Sequence, residues 1–164
     1  MFGTQGIDSV SLRQIGDAIG SSNANVVGYH FGTKEDLIVA ILRHREPWLN
    51  SRRAHIYTEL TEKYGPLELK YLLKAFWYPL FEQVDEYGVH SFAGFIAELV
   101  RTDRGNIRRA INLDYPETDR ISSEIFQCFP KNEMVLAEQR MGVVLSIITS
   151  QLRMIDQRRK KSQI

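Results

Sequence analysis

Apolar residues in this 164-residue chain recur at spacings of three and four, punctuated by glycine and proline. Leu12, Ile15 and Ile19 begin the pattern, and Leu37, Ile38, Ile41 and Leu42 continue it. Leu69, Leu72, Leu73, Phe76, Leu80 and Val84 follow, then Phe92, Phe95, Ile96, Leu99 and Val100. Such spacing lines one face of a helix with 3.6 residues per turn. Strand signals are weak, because no alternation of four or more residues is sustained between turn residues. The fold class expected is all-α, in a chain long enough to bury a proper core.

Composition excludes several classes. Apolar and charged fractions of 43% and 25% are those of an ordinary globular protein. No apolar run approaches the roughly 18 residues of a membrane span, and no leader is evident. A lone cysteine, Cys128, fits a reducing compartment, so a cytoplasmic location without membrane partners is expected. His30, His44, His55 and His90 lack metal-ligand spacing, and no paired carboxylates or nucleophile–base arrangement can be placed. No enzyme, cofactor or metal centre is expected.

Helix punctuation is densest between Ser11 and Leu37. Met1 to Gln5 read as the last turn of a helix stopped by Gly6. Ser11 and Gln14 form a capping box for the next helix, which Gly20 ends. Ser21, Ser22 and Asn23 supply caps for a third, running through Val26 and Val27 to Phe31, with Gly32 as its stop. Thr33, with Asp36 three residues on, opens a fourth. Two short helices joined by a tight glycine turn are the helix-turn-helix pattern.

Gly20, the caps at Ser22 or Asn23, Val26-Val27, the Tyr29-His30-Phe31 triplet, Gly32, Lys34 and Leu37 together resemble the signature of tetracycline-repressor (TetR-type) transcriptional regulators. The resemblance covers Gly6 to about Leu42; beyond it, only a succession of helices of suitable lengths agrees. It implies a helix-turn-helix head over residues 1–46, with its first helix truncated, on a larger helical ligand-binding and dimerisation bundle over 47–164. It also implies double-stranded DNA, an unidentified small-molecule effector and a second copy of the chain as partners. Ser21, Ser22, Asn23, Asn25 and Gly28 would form the recognition face, with Tyr29, His30 and Lys34 against the DNA backbone. The chemistry is compatible. A phenol and an ammonium reach phosphate oxygens, a helix amino end favours an anion, and asparagine amides pair with an adenine edge. Phe31 is expected in the core of the head. Relative to the family, the first helix is reduced to Met1–Gln5 and a final helix is missing, so the working protein is expected to be longer.

Charge runs against DNA binding. Residues 1–46 carry four Lys/Arg and five Asp/Glu, whereas 151–164 carry five and one, mostly in Arg158-Arg159-Lys160-Lys161. Phosphate neutralisation normally dominates such affinity, and this head supplies little of it.

In the remainder, Pro47 should bend or split the fourth helix. A helix from Leu67 to about Tyr87 is expected, then one beginning near Phe92, and two shorter ones between residues 105 and 130 with a break at Tyr115-Pro116. Phe76, Trp77, Phe92 and Phe95 are candidate walls of a ligand pocket. The last helix, about 131–157, bears two apolar stripes: Met134, Ala137, Met141, Leu145, Ile148, Leu152 and Ile155, and separately Leu136, Val143, Ile147 and Met154. Both must be buried, one of them by a second copy, and Met141, Leu145, Ile148 and Leu152 are the candidate interface. The function expected is a homodimeric, ligand-responsive regulator, a repressor at a pseudo-palindromic operator. The alternative is a helical small-molecule-binding or dimerisation module that has lost DNA binding.

Overall fold

Helices in this chain begin and end where residue chemistry dictates. The computed structural model describes residues 1–102, 104 and 114–161, with side chains as far as 159. Among them are eight α-helices and no strand: α1 Phe2–Gln5, α2 Leu12–Ala18, α3 Val26–Phe31, α4 Lys34–Tyr64, α5 Leu69–Glu82, α6 Ser91–Arg101, α7 Pro116–Gln127 and α8 Met134–Lys161, the last preceded by a 3-10 turn, Lys131–Glu133. Both capping boxes form: Ser11 with Gln14, and Thr33 with Asp36. Each satisfies two amides that the helix cannot, worth about 1 kcal/mol per cap. Gly6, Gly20 and Gly32 adopt φ of 91°, 75° and 84°, which a side chain would oppose.

Pro47 does not split the fourth helix, and the fifth ends earlier than expected. Pro47 lies inside α4, which continues through it to Tyr64. Tertiary burial of Leu42, Glu46, Leu49 and Arg53 holds the helix on both sides of the missing amide. The fifth helix stops at Glu82 instead of Tyr87. There Asp85 competes with the helix: its carboxylate accepts the amides of Tyr87 and Val89, each at 3.0 Å, and Gly88 closes the turn at φ 71°. Val84, expected inward, is exposed. The first of the two short helices expected after residue 105 falls outside the described residues; the second is α7.

The main core gathers Phe2, Ile7, Val10, Val27, Ile38, Leu42 and Leu49 with Leu80, Phe92, Phe95, Leu99, Leu145 and Leu152. Burying each such side chain is worth about 1.5–3 kcal/mol. Apolar packing therefore runs through residue 46 without dividing there. A second core, Ile56, Leu60, Leu72, Ala75, Ile121 and Ile125, fills the far end of α4. At the head, α1 crosses α6 in backbone contact: a Cβ on Gly3 would stand 2.3 Å from the Ser91 carbonyl oxygen, and one on Gly94 2.6 Å from that of Gly3. Only glycine fits at either point.

Polar clamps fix the outer helices. Arg52 donates twice to Glu82, at 2.6 and 2.7 Å, tying α4 to α5. The first residue before α6, His90, meets Asp156 of α8 through Nδ1 at 2.7 Å, and its backbone amide donates to the same carboxylate at 3.0 Å.

The proposed interface stripe on α8 is also corrected. Leu145 and Leu152 are buried in the main core with Ile148 packed against it, and Met141 packs against the second core. The other stripe is outward, with Val143 and Ile147 58% and 57% exposed and Leu136 and Met154 also exposed. Docking on α6 rotates α8 so that only one stripe can face inward.

Candidate nucleic-acid interface

The α2–turn–α3 unit owes its shape to bonds within four residues. Gly16, buried, leaves room for Val26, whose side chain would lie 3.3 Å from a Cβ there. Val27 points inward. In the turn, Ser21 Oγ accepts the Asn23 amide at 3.1 Å, and Asn23 Oδ1 accepts the Asn25 amide at 3.0 Å. The caps expected at Ser22 or Asn23 are thus turn bonds, and α3 starts later, after Asn25, without a side-chain cap.

This arrangement sorts the candidate contacts. Ser22, Asn23, Asn25, Tyr29 and His30 are exposed and near one another in the turn and α3. Tyr29 is 83% exposed, its ring edge-on to His30 at 5.3 Å. Asn23 holds the turn with its carbonyl oxygen, so its amide nitrogen is the part directed elsewhere. The Asn25 side chain makes no cap bond, which leaves both halves of its amide for a two-point contact. Ser21 is half-buried in turn bonding. Gly28 is not forced by crowding, since a Cβ there would meet nothing within 4 Å; it is a bare stretch of backbone on an open surface.

Three features depart from expectation. Lys34 Nζ donates to the carbonyl of Ile7 at 3.0 Å, so its ammonium is drawn into the α1–α2 loop. At the amino end of α4, the place where an anion would settle is taken by Asp36. Its carboxylate accepts from the Thr33 hydroxyl at 2.6 Å and amide at 2.9 Å, bonds that hold its pKa below the ordinary carboxylate value. Phe31, expected in the core, is exposed and borders an apolar groove with Ile19, Ile41 and Phe92. Arg104 is bonded to Asp8 at 2.9 Å and stands 3.9 Å from Glu35, an ion pair across the head that sequence spacing did not suggest.

The four aromatic residues expected to line one pocket are divided between two. Phe92 and Phe95 border the groove near Met1, where Phe95 stacks on Phe2 with ring centres 6.2 Å apart. Phe76 and Trp77 line a separate cavity of about 430 Å³ between α4, α5, α6, α7 and α8. Alternate faces of α5 and α6 set this division. Two residues missed from sequence, Glu46 and Arg53, are buried in that cavity's wall; as charges in an otherwise apolar stripe of α4, they were the available signal. Among the described residues, no cluster of three His, Cys, Asp or Glu could hold a metal ion, and no helix is long and apolar enough to cross a membrane.

Compared with models of known protein families and with curated proteins, the sequence matches none.

Proposed function

We propose that the chain is a ligand-responsive transcriptional regulator of the tetracycline-repressor type, a homodimeric repressor that reads a pseudo-palindromic operator with α3. The observation that carries this reading is the exposed set Asn25, Tyr29 and His30 on a short helix whose Val27 is buried. An amide with both halves available suits a base edge, and a phenol beside an imidazole suits sugar and phosphate. The outward stripe of α8 supports pairing of two copies, since apolar surface at Val143 and Ile147 gains by being covered. Two-fold pairing would set two α3 helices about 34 Å apart, one turn of duplex. Repression then needs no catalysis, only occupancy.

A second reading is a helical ligand-binding or dimerisation module without DNA binding. The bond from Lys34 to Ile7 and the carboxylate of Asp36 at the α4 amino end favour it, because the first engages one of the ammonium's three donors within the protein and the second puts a negative charge where an anion would settle. Selection of bound duplexes from a random pool separates the two. The regulator enriches an inverted repeat with half-sites one helical turn apart, and its affinity falls with salt. Recovery of unenriched sequence at low and moderate salt establishes the second reading instead.

A further inference from the structure

A groove of about 680 Å³ lies where α1, α2, α3, α4 and α6 meet, a volume within the range of small-molecule sites. Its walls include Ile15 and Ile19 from α2 and its end, Phe31 from α3, Ile41 from α4, and Phe92 and Phe95 from α6. Ile19 and Phe31 are 68% and 43% exposed, so apolar surface stands in water that an occupant would release.

Apolar walls alone do not choose a ligand; the polar edge does. Among the described lining residues the ionisable side chains are His44 and Arg45, and none is acidic. Arg45 is half-buried, and its guanidinium makes no hydrogen bond or ion pair to any described residue. Asp85 feels its charge, but that carboxylate is engaged by the amides of Tyr87 and Val89, each at 3.0 Å. The N–H groups of the guanidinium thus remain for an oxygen from outside the protein. A carboxylate accepts from a guanidinium through two parallel bonds, each about twice as strong as a neutral one. An ammonium would meet donors where it needs acceptors.

We propose that the groove binds an anionic amphiphile, a hydrocarbon chain ending in a carboxylate, with the chain along the apolar walls and the carboxylate on Arg45. The proposal goes beyond the regulator reading and does not depend on it. An occupant touching both α2 and α6 joins head to body, whatever α3 meets.

The test titrates decanoate, decanol and decyltrimethylammonium into the full chain by calorimetry at pH 7, below micelle-forming concentrations. Decanoate binds about tenfold more tightly than decanol, and the cation binds more weakly than either. From octanoate to dodecanoate, affinity rises about threefold for each added methylene, as burial of the chain requires. Arg45→Gln reduces decanoate to the affinity of decanol and leaves decanol unchanged. Ala18→Trp, at an exposed position on the groove wall, abolishes binding of all three with helical circular dichroism retained. Should that variant fail to fold, Arg45→Gln and the chain-length series decide. Decyltrimethylammonium binding as tightly as decanoate overturns the proposal, as does decanoate affinity that Arg45→Gln leaves unaltered, or the absence of binding by any probe. Failure of the regulator reading shows separately: decanoate would bind to a protein that enriches no duplex.

Discussion

The ammonium of Lys34 donates to the carbonyl oxygen of Ile7, 27 positions earlier in the chain, at 3.0 Å. That bond closes the α1–α2 loop onto the start of α4, and it sets two possible roles for Lys34 against each other. An ammonium has three donors, so one bond to the loop leaves two for a phosphate.

Lys34→Ala tests both. Loss of a charge-assisted bond at a half-buried site lowers stability by about 1–2 kcal/mol in urea unfolding. If Lys34 also meets DNA, the slope of log affinity against log salt falls by about 1, equally for all sequences. A stability loss with an unaltered salt slope assigns Lys34 to the loop alone.

Asn23 and Asn25 should separate in the same assay. Asn23→Ala removes the acceptor of the Asn25 amide and loosens the turn, so it weakens specific and random duplexes alike. Asn25→Ala leaves every turn bond in place and relaxes preference at one base pair, by about 1–3 kcal/mol against the wrong base. Identical profiles for the two variants would show that neither amide reads a base.

The difference between these asparagines also marks how far the sequence could be read. Capping boxes and glycine stops were legible because Ser11–Gln14 and Thr33–Asp36 act across three residues, where spacing determines geometry. The all-α class followed from the same local periodicity. The bond of Lys34 to Ile7 was not legible because its partner lies 27 residues away. The pocket residues were misread because Phe76 and Trp77 face one space and Phe92 and Phe95 another, a matter of how α5 and α6 are rotated against α4. Two apolar stripes on α8 were evident, but docking alone decided which one turned inward.

That choice makes the stripes separable by mutation. Ile147→Glu, at an outward position, shifts sedimentation toward monomer with little change in unfolding of the monomer itself. Leu145→Ala, at a buried position, lowers stability by about 2–5 kcal/mol through the cavity it leaves. Should Ile147→Glu leave the sedimentation coefficient unchanged across protein concentrations, the outward stripe is not where two copies meet.

Pro47 can be weighed by magnitude. A proline inside a helix forfeits one hydrogen bond and strains the preceding turn, about 3 kcal/mol, whereas alanine gives the unfolded chain back about 1 kcal/mol of freedom. Pro47→Ala should therefore stabilise α4 by about 2 kcal/mol in urea unfolding. A bend used in signalling would add a second effect, a change in effector response larger than the change in unliganded DNA affinity. Stability and response both unaltered would remove any role for Pro47 as a hinge.

The pair Arg52–Glu82 predicts how stability depends on acid. The Arg52 hydrogen bonds hold the Glu82 carboxyl below its ordinary value, against the opposing effect of burial. A carboxylate whose pKa is lower folded than unfolded stabilises the fold above its unfolded value, about 4.3, and loses that contribution as pH falls through the folded value. Both side chains are a little over a quarter exposed, so water screens the pair and its worth at neutral pH is about 1 kcal/mol. Glu82→Gln should accordingly unfold at lower urea than the parent at pH 7. As pH falls through the folded value, which lies below the ordinary one, the parent's Glu82 takes up a proton and the two proteins converge. A difference that stays constant from pH 7 to pH 3 would mean that the bidentate geometry, and not the charge, holds α5 to α4.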